Sequence, residues 1–76
     1  MKKYDEKILE IMHEHYDGEI ELDKSFSQCG INSITYVKII VSIEQEFMFE
    51  FKEEDFNDEK FVSIQDFITY INDNMN

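Results

Sequence analysis

Seventy-six residues, 42% of them apolar and including seven Phe and four Tyr, supply one modest core and leave no room for a deep substrate cleft with its own catalytic constellation. Eighteen acidic residues against seven lysines give a formal charge of −11, which is repelled by nucleic acid and by anionic lipid and argues against both as partners. A single cysteine excludes an internal disulfide framework, no apolar run approaches the roughly 18 residues of a membrane span, and the N-terminus turns acidic where a signal peptide needs an apolar stretch. The expected protein is a single domain over residues 1–76, cytoplasmic and monomeric.

From about residue 3 to residue 16, Tyr4, Ile8, Leu9, Ile11, Met12 and Tyr16 recur at helical spacing, and charged residues fill the other face. His13 and His15 stand two apart, whereas metal pairs on one helix face favour separations of three or four, so both read as ordinary helix-surface histidines. Gly18 is placed to end this helix as a C′ residue. Residues 19–29 show no strong period. Leu22 and Phe26 are the expected buried anchors of a folded loop, and a connection this long suggests that it spans the first helix crossing. Cys29 would need a nearby base to act as a nucleophile, and the pattern positions none. A small, partly buried thiol is expected.

Gly30-Ile31-Asn32-Ser33-Ile34 joins a turn-permitting glycine to two good helix N-caps, followed by about four turns of unbroken helical pattern. Along that helix Tyr36, Ile39, Ile40, Ile43 and Phe47 form a sufficient core stripe. Ile34, Val37, Val41 and Met48 form a second apolar stripe, with Glu44 between the two and Thr35, Lys38, Ser42, Gln45 and Glu46 on a polar face. The second stripe is either buried by other helices or a docking face beside the serine; partial exposure is the expectation.

Phe49-Glu50-Phe51 reads as a short extended link. Residues 52–60 are strongly acidic, with Phe56 as the one apolar anchor and room for a single short helical turn. They lack the alternating ligands and central glycine of a calcium loop and read as solvated charge. Ser63 looks like the N-cap of a last helix running from residue 64 to about residue 72, with Phe67, Ile68 and Ile71 inward. Residues 72–76 are expected to form a frayed tail.

As a hydrolytic nucleophile Ser33 lacks a base, an orienting acid and the Gly-x-Ser-x-Gly elbow. As a helix cap it needs no further explanation. As an attachment point for a phosphate-linked group it is well placed, because a helix N-terminus offers free N–H groups and the positive end of the dipole.

Gly30-Ile31-Asn32-Ser33-Ile34 is similar to the Gly-x-Asp-Ser-Leu signature of the acyl and peptidyl carrier proteins. The resemblance extends to Leu22-Asp23-Lys24-Ser25-Phe26, in the place of that family's anchoring loop. It extends also to Val41-Ser42-Ile43-Glu44-Gln45-Glu46-Phe47, like the end of its second helix, and to Phe61-Val62-Ser63-Ile64-Gln65-Asp66-Phe67-Ile68, like the start of its last. It implies an all-α, four-helix bundle with a short third helix within residues 53–58 and a long loop between the first two helices. It also implies that Ser33 carries 4′-phosphopantetheine, installed from coenzyme A by a phosphopantetheinyl transferase, and that acyl or aminoacyl groups ride on the arm as thioesters. The protein itself would catalyse nothing; its partners would be the transferase, an adenylating ligase or acyltransferase, and downstream biosynthetic enzymes. Asn32, Ile34, Val37, Lys38 and Val41 match positions where those partners would dock. Asn32 stands where the family usually has aspartate, keeping a capping oxygen without the charge. Lys38 and Thr35 stand where carriers of fatty acid synthesis often show acids, which tilts the reading toward a free-standing carrier of nonribosomal peptide-like or polyketide-like assembly. The alternatives are a fatty acid synthesis carrier, or a non-carrier acidic helical adaptor in which Ser33 is only a cap.

Overall fold

An acidic first turn followed by apolar residues on one face favours helix in the first segment, and the chain forms α1 over Asp5–His15, with Ile8, Ile11 and Met12 buried. The computed structural model describes residues 4–75, so the expected helix start at residue 3 lies outside the described residues. Two further α-helices follow, α2 (Ser33–Phe47) and α3 (Ile64–Asn74), with a 3₁₀ turn at Glu53–Phe56 and no strand among the described residues. The class is all-α. The expected short third helix is this single 3₁₀ turn, so the described residues hold three α-helices rather than four.

The core is aromatic and branched-aliphatic. Tyr36, Ile39, Ile40 and Ile43 of α2 meet Ile8, Ile11 and Met12 of α1 and Ile64, Phe67, Ile68 and Ile71 of α3. Phe26 sits at its centre, edge-on to Tyr36 (4.8 Å between ring centroids) and to Phe67 (5.0 Å). Phe51 and Phe61 close the side toward α3, with ring centroids 6.1 and 5.3 Å from that of Phe67.

The long loop is held by its backbone as much as by its side chains. The amides of Ile64 and Gln65 donate to the carbonyls of Lys24 and Leu22 at 2.8 and 2.9 Å, so the loop supplies acceptors to the start of α3. This corrects one anchor: Phe26 is buried, but Leu22 is exposed and contributes its carbonyl instead. Ser63 caps α3 as expected, accepting from the Asp66 amide at 3.1 Å. Gly18 is not the left-handed stop of α1, which ends at His15 with an extended Tyr16 as its cap; the only glycine with positive φ is Gly30. His15 is more than a surface histidine, since its Nε2 lies 2.7 Å from Ser42 Oγ on α2.

The acidic stretch departs most from expectation. Asp55 is fully buried rather than solvated. Its carboxylate accepts from the Lys52 amide (2.9 Å), the Tyr70 hydroxyl (2.7 Å) and Lys60 Nζ, while its carbonyl accepts from the Tyr36 hydroxyl at 2.6 Å. Asp55 thus joins Phe56, the segment's apolar anchor, which is partly buried against the core. These bonds reach α2, α3 and the turn's own start. They fix one 3₁₀ turn, and Asn57 ends it by accepting the Glu59 amide on its side chain. The expected frayed tail is also corrected through Asn74: Asn72 is buried, and its side-chain amide donates to Asp5 Oδ1 (2.8 Å) and to the Ile68 carbonyl (3.0 Å), joining the end of α3 to the start of α1. Asn76 lies outside the described residues.

Candidate functional site

A compact turn delivers the chain into α2. The amides of Cys29, Gly30 and Ile31 bond back to carbonyls of residues 25–27 over 2.9–3.2 Å, and Gly30 takes φ 89, a conformation that costs a side-chain-bearing residue energy. The buried Ile31 side chain then plugs the turn into the core, and the chain emerges at Asn32. Asn32 is the N-cap: its Oδ1 accepts from the Thr35 amide at 2.8 Å and its carbonyl from the Tyr36 amide at 2.9 Å.

Ser33 is therefore the first helical residue and not the cap. It is exposed, and none of the described residues bonds its hydroxyl. The amides of Ser33 and Ile34 at this helix start have no intrahelical acceptor, and the dipole favours negative charge there. No acidic residue occupies the first turn of α2. A free hydroxyl beside open N–H groups fits a covalently linked phosphodiester. With no cavity among the described residues, the site is a surface corner.

The second stripe lies open beside it. At about 100° per residue, Val37, Val41 and Ile34 fall within about 60° of one another, next to Ser33 and away from the core stripe, with Lys38 on the polar border. Ile34 is 69% exposed, and Val37 and Val41 are each 38% exposed. Met48, 91% exposed, has left the helix: it is the C-cap, in left-handed conformation at φ 53. Glu44, between the stripes, accepts the Phe51 amide at 2.9 Å and so orders the extended link after α2.

Two groups tied into this architecture escaped the sequence reading. Asp55 was hidden among acidic neighbours, and its partners Tyr36 and Tyr70 lie on other helices, so no local spacing announces it. Burial alone would raise its pKa, but the hydrogen bonds from Lys60, Tyr70 and the Lys52 amide outweigh that and hold it below the usual carboxylate range. Its hydrogen bond raises the Lys60 ammonium, while burial first, and then Asp55, raises the Tyr70 phenol. Burial also pushes the Tyr36 phenol well up, the Asp55 charge adding to it. The second missed group is Tyr16, whose hydroxyl donates to the Cys29 carbonyl in the turn before Ser33. Cys29 is the partly buried free thiol expected, its Sγ 3.7 Å from the Glu21 carbonyl. Among the described residues no group of three or more His, Cys, Asp or Glu could hold a metal ion, and no helix is long and apolar enough to cross a membrane.

The family model described as the phosphopantetheine attachment site matches residues 6–71, which includes the turn, all of α2, the 3₁₀ turn and most of α3. No solved structure matches the chain. The chain belongs to the phosphopantetheine attachment-site family, carriers with a covalently bound 4′-phosphopantetheine.

Proposed function

We propose that Ser33 is the attachment residue and that the protein is a non-catalytic carrier domain of a specialised biosynthetic assembly. The observation that carries this is the division of labour at the start of α2: Asn32 caps the helix, which leaves the Ser33 hydroxyl exposed and free. When bound, the arm supplies a terminal thiol for acyl or aminoacyl thioesters. The chain's own part is to present Oγ at a fixed place and to offer the Ser33 and Ile34 amides to the phosphate. Among the described residues no carboxylate or imidazole bonds the Ser33 hydroxyl, which supports a base supplied by the transferase to take its proton. The match to the phosphopantetheine attachment site supports a carrier acted on by others.

Ile34, Val37 and Val41 form the docking face, with Asn32 and Lys38 at its edge. Partners are the phosphopantetheinyl transferase, an adenylating ligase or acyltransferase, and the enzymes that take the cargo onward. Lys38 and the acid-free first turn of α2 favour peptide- or polyketide-like assembly over fatty acid synthesis. A net charge of −11 and a free cysteine support a cytoplasmic, monomeric protein that binds neither nucleic acid nor membrane.

The test is loading. Incubated with coenzyme A and a broad-specificity phosphopantetheinyl transferase, the protein gains the mass of one phosphopantetheine. Ser33→Ala gains none while its helical circular dichroism persists. Undiminished loading of Ser33→Ala would place the arm elsewhere.

A further inference from the structure

We infer that Tyr16 is a positioning residue for the loading of Ser33, acting through the Cys29–Gly30 turn; this rests on Ser33 being the attachment residue. The chain has two glycines, and both lie against this one side chain. A Cβ at Gly18 would collide with the Tyr16 ring, and a Cβ at Gly30 would come within 3.1 Å of its hydroxyl oxygen. The tyrosine that ends α1 thus folds back over the start of the long loop and reaches the loop's far end, where its hydroxyl donates to the Cys29 carbonyl.

That bond falls where the turn lacks one of its own. The amides of Cys29, Gly30 and Ile31 are satisfied within the turn, on the carbonyls of Ser25, Phe26 and Ser27. The Cys29 carbonyl points outward from this ring of bonds and finds the phenol. It immediately precedes Gly30, whose left-handed φ sets the direction in which Ile31, Asn32 and Ser33 leave. Rotation of the Cys29–Gly30 peptide would swing the corner, and the Tyr16 bond restrains that rotation. Downstream, Ile31 is plugged into the core and Asn32 into α2; upstream, the Gly30 amide holds the nitrogen side of that peptide within the turn, and Tyr16 holds its carbonyl side to α1.

Without this strut the corner samples other orientations, and a transferase binds only the fraction with Oγ in place. The apparent affinity falls by that fraction, while turnover from the docked complex is preserved. Tyr16→Phe keeps the ring against Gly18 and removes only the hydroxyl. With coenzyme A and the broad-specificity transferase, Tyr16→Phe raises KM for the carrier roughly five-fold, about the factor one net hydrogen bond is worth. Its kcat stays within about two-fold and its helical spectrum is unchanged. Exchange of the Gly30 and Ile31 amides, followed by NMR, speeds up relative to that of α2. A Tyr16→Phe protein with unchanged KM and kcat, beside a Ser33→Ala protein that is not loaded, overturns the role of Tyr16 and leaves the attachment residue standing. Loading of Ser33→Ala overturns both. If Tyr16→Phe loses its helical spectrum, the hydroxyl holds the fold as a whole rather than the corner, and the positioning role is overturned.

Discussion

Ser33 and Asp55 are handled in opposite ways by this fold. Asp55 is a charge taken fully out of water and surrounded by donors from α3, from Lys60 and from its own turn, with Tyr36 of α2 holding its carbonyl. Ser33 is a hydroxyl left in water at a helix start where a neighbour has already taken the capping role. A buried carboxylate tolerates no loss of partners, since an unpaired charge in the interior costs several kcal/mol. An exposed hydroxyl with no internal bonds can be removed at almost no structural cost. Stability and the proposed attachment therefore rest on separate polar groups, and each can be broken without the other.

The largest effect belongs to Asp55. Asp55→Ala removes the acceptor that three donors share and is expected to destabilise the protein by about 3–5 kcal/mol in urea denaturation, enough to unfold a domain this small. Asp55→Asn keeps the shape but turns an amide donor toward groups that are themselves donors, so a smaller loss of about 1–3 kcal/mol is expected. If either variant is as stable as the wild type, the carboxylate does not hold the 3₁₀ turn in place.

The same group gives an acid limb. The folded pKa of Asp55 is lowered, so its contribution is fully present above the unfolded value of about 3.9 and is lost as pH falls through the folded pKa. Lys60, Tyr70 and Tyr36 are raised, so their contributions are intact below their unfolded values of about 10 and are lost as pH rises beyond them. The stability difference between wild type and Asp55→Asn should be flat from about pH 5 to 9 and shrink below about pH 4. Taking the difference cancels the repulsion among the other carboxylates. A difference that persists unchanged to pH 2 would contradict the assignment.

What was legible in the sequence follows the range of each interaction. The core face of α2, its open second stripe, the Ser63 cap and the Gly30 turn all depend on residues within a few positions of one another, and each stands where the pattern puts it. Asp55, Tyr16 and Asn72 each depend on partners 13 to 67 residues away in the chain, and spacing carries no trace of them. The short helical turn within residues 53–58 was legible and stands as a 3₁₀ turn, but the bonds that bury Asp55, to Tyr36 and Tyr70 on other helices and to Lys60, were not. The second stripe was visible as apolar residues that the core did not need, whereas nothing in the spacing says what covers it.

Of intermediate size is the effect on that face. Val41→Asp puts a charge on a side chain already 38% exposed, so the stability change should stay within about 1 kcal/mol. Loading by the cognate ligase should fall at least about ten-fold, equivalent to about 1.4 kcal/mol in kcat/KM. Val37→Asp should behave alike. Unfolding of both would mean that the stripe belongs to the core after all.

The smallest effects separate a cap from an attachment point. Asn32→Ala leaves the Thr35 amide without its acceptor and should cost about 1 kcal/mol. Ser33→Ala removes a hydroxyl that bonds nothing among the described residues, and alanine is the better helix former, so stability should change by no more than about 0.5 kcal/mol. Were Ser33 merely a cap, the order would reverse, with Ser33→Ala the costly change and Asn32→Ala the neutral one. Two urea titrations on proteins that both remain folded therefore decide between the readings without any partner enzyme. Paired with loading they complete the separation: Asn32→Ala should lose stability yet still accept the arm, and Ser33→Ala should keep its stability and accept nothing.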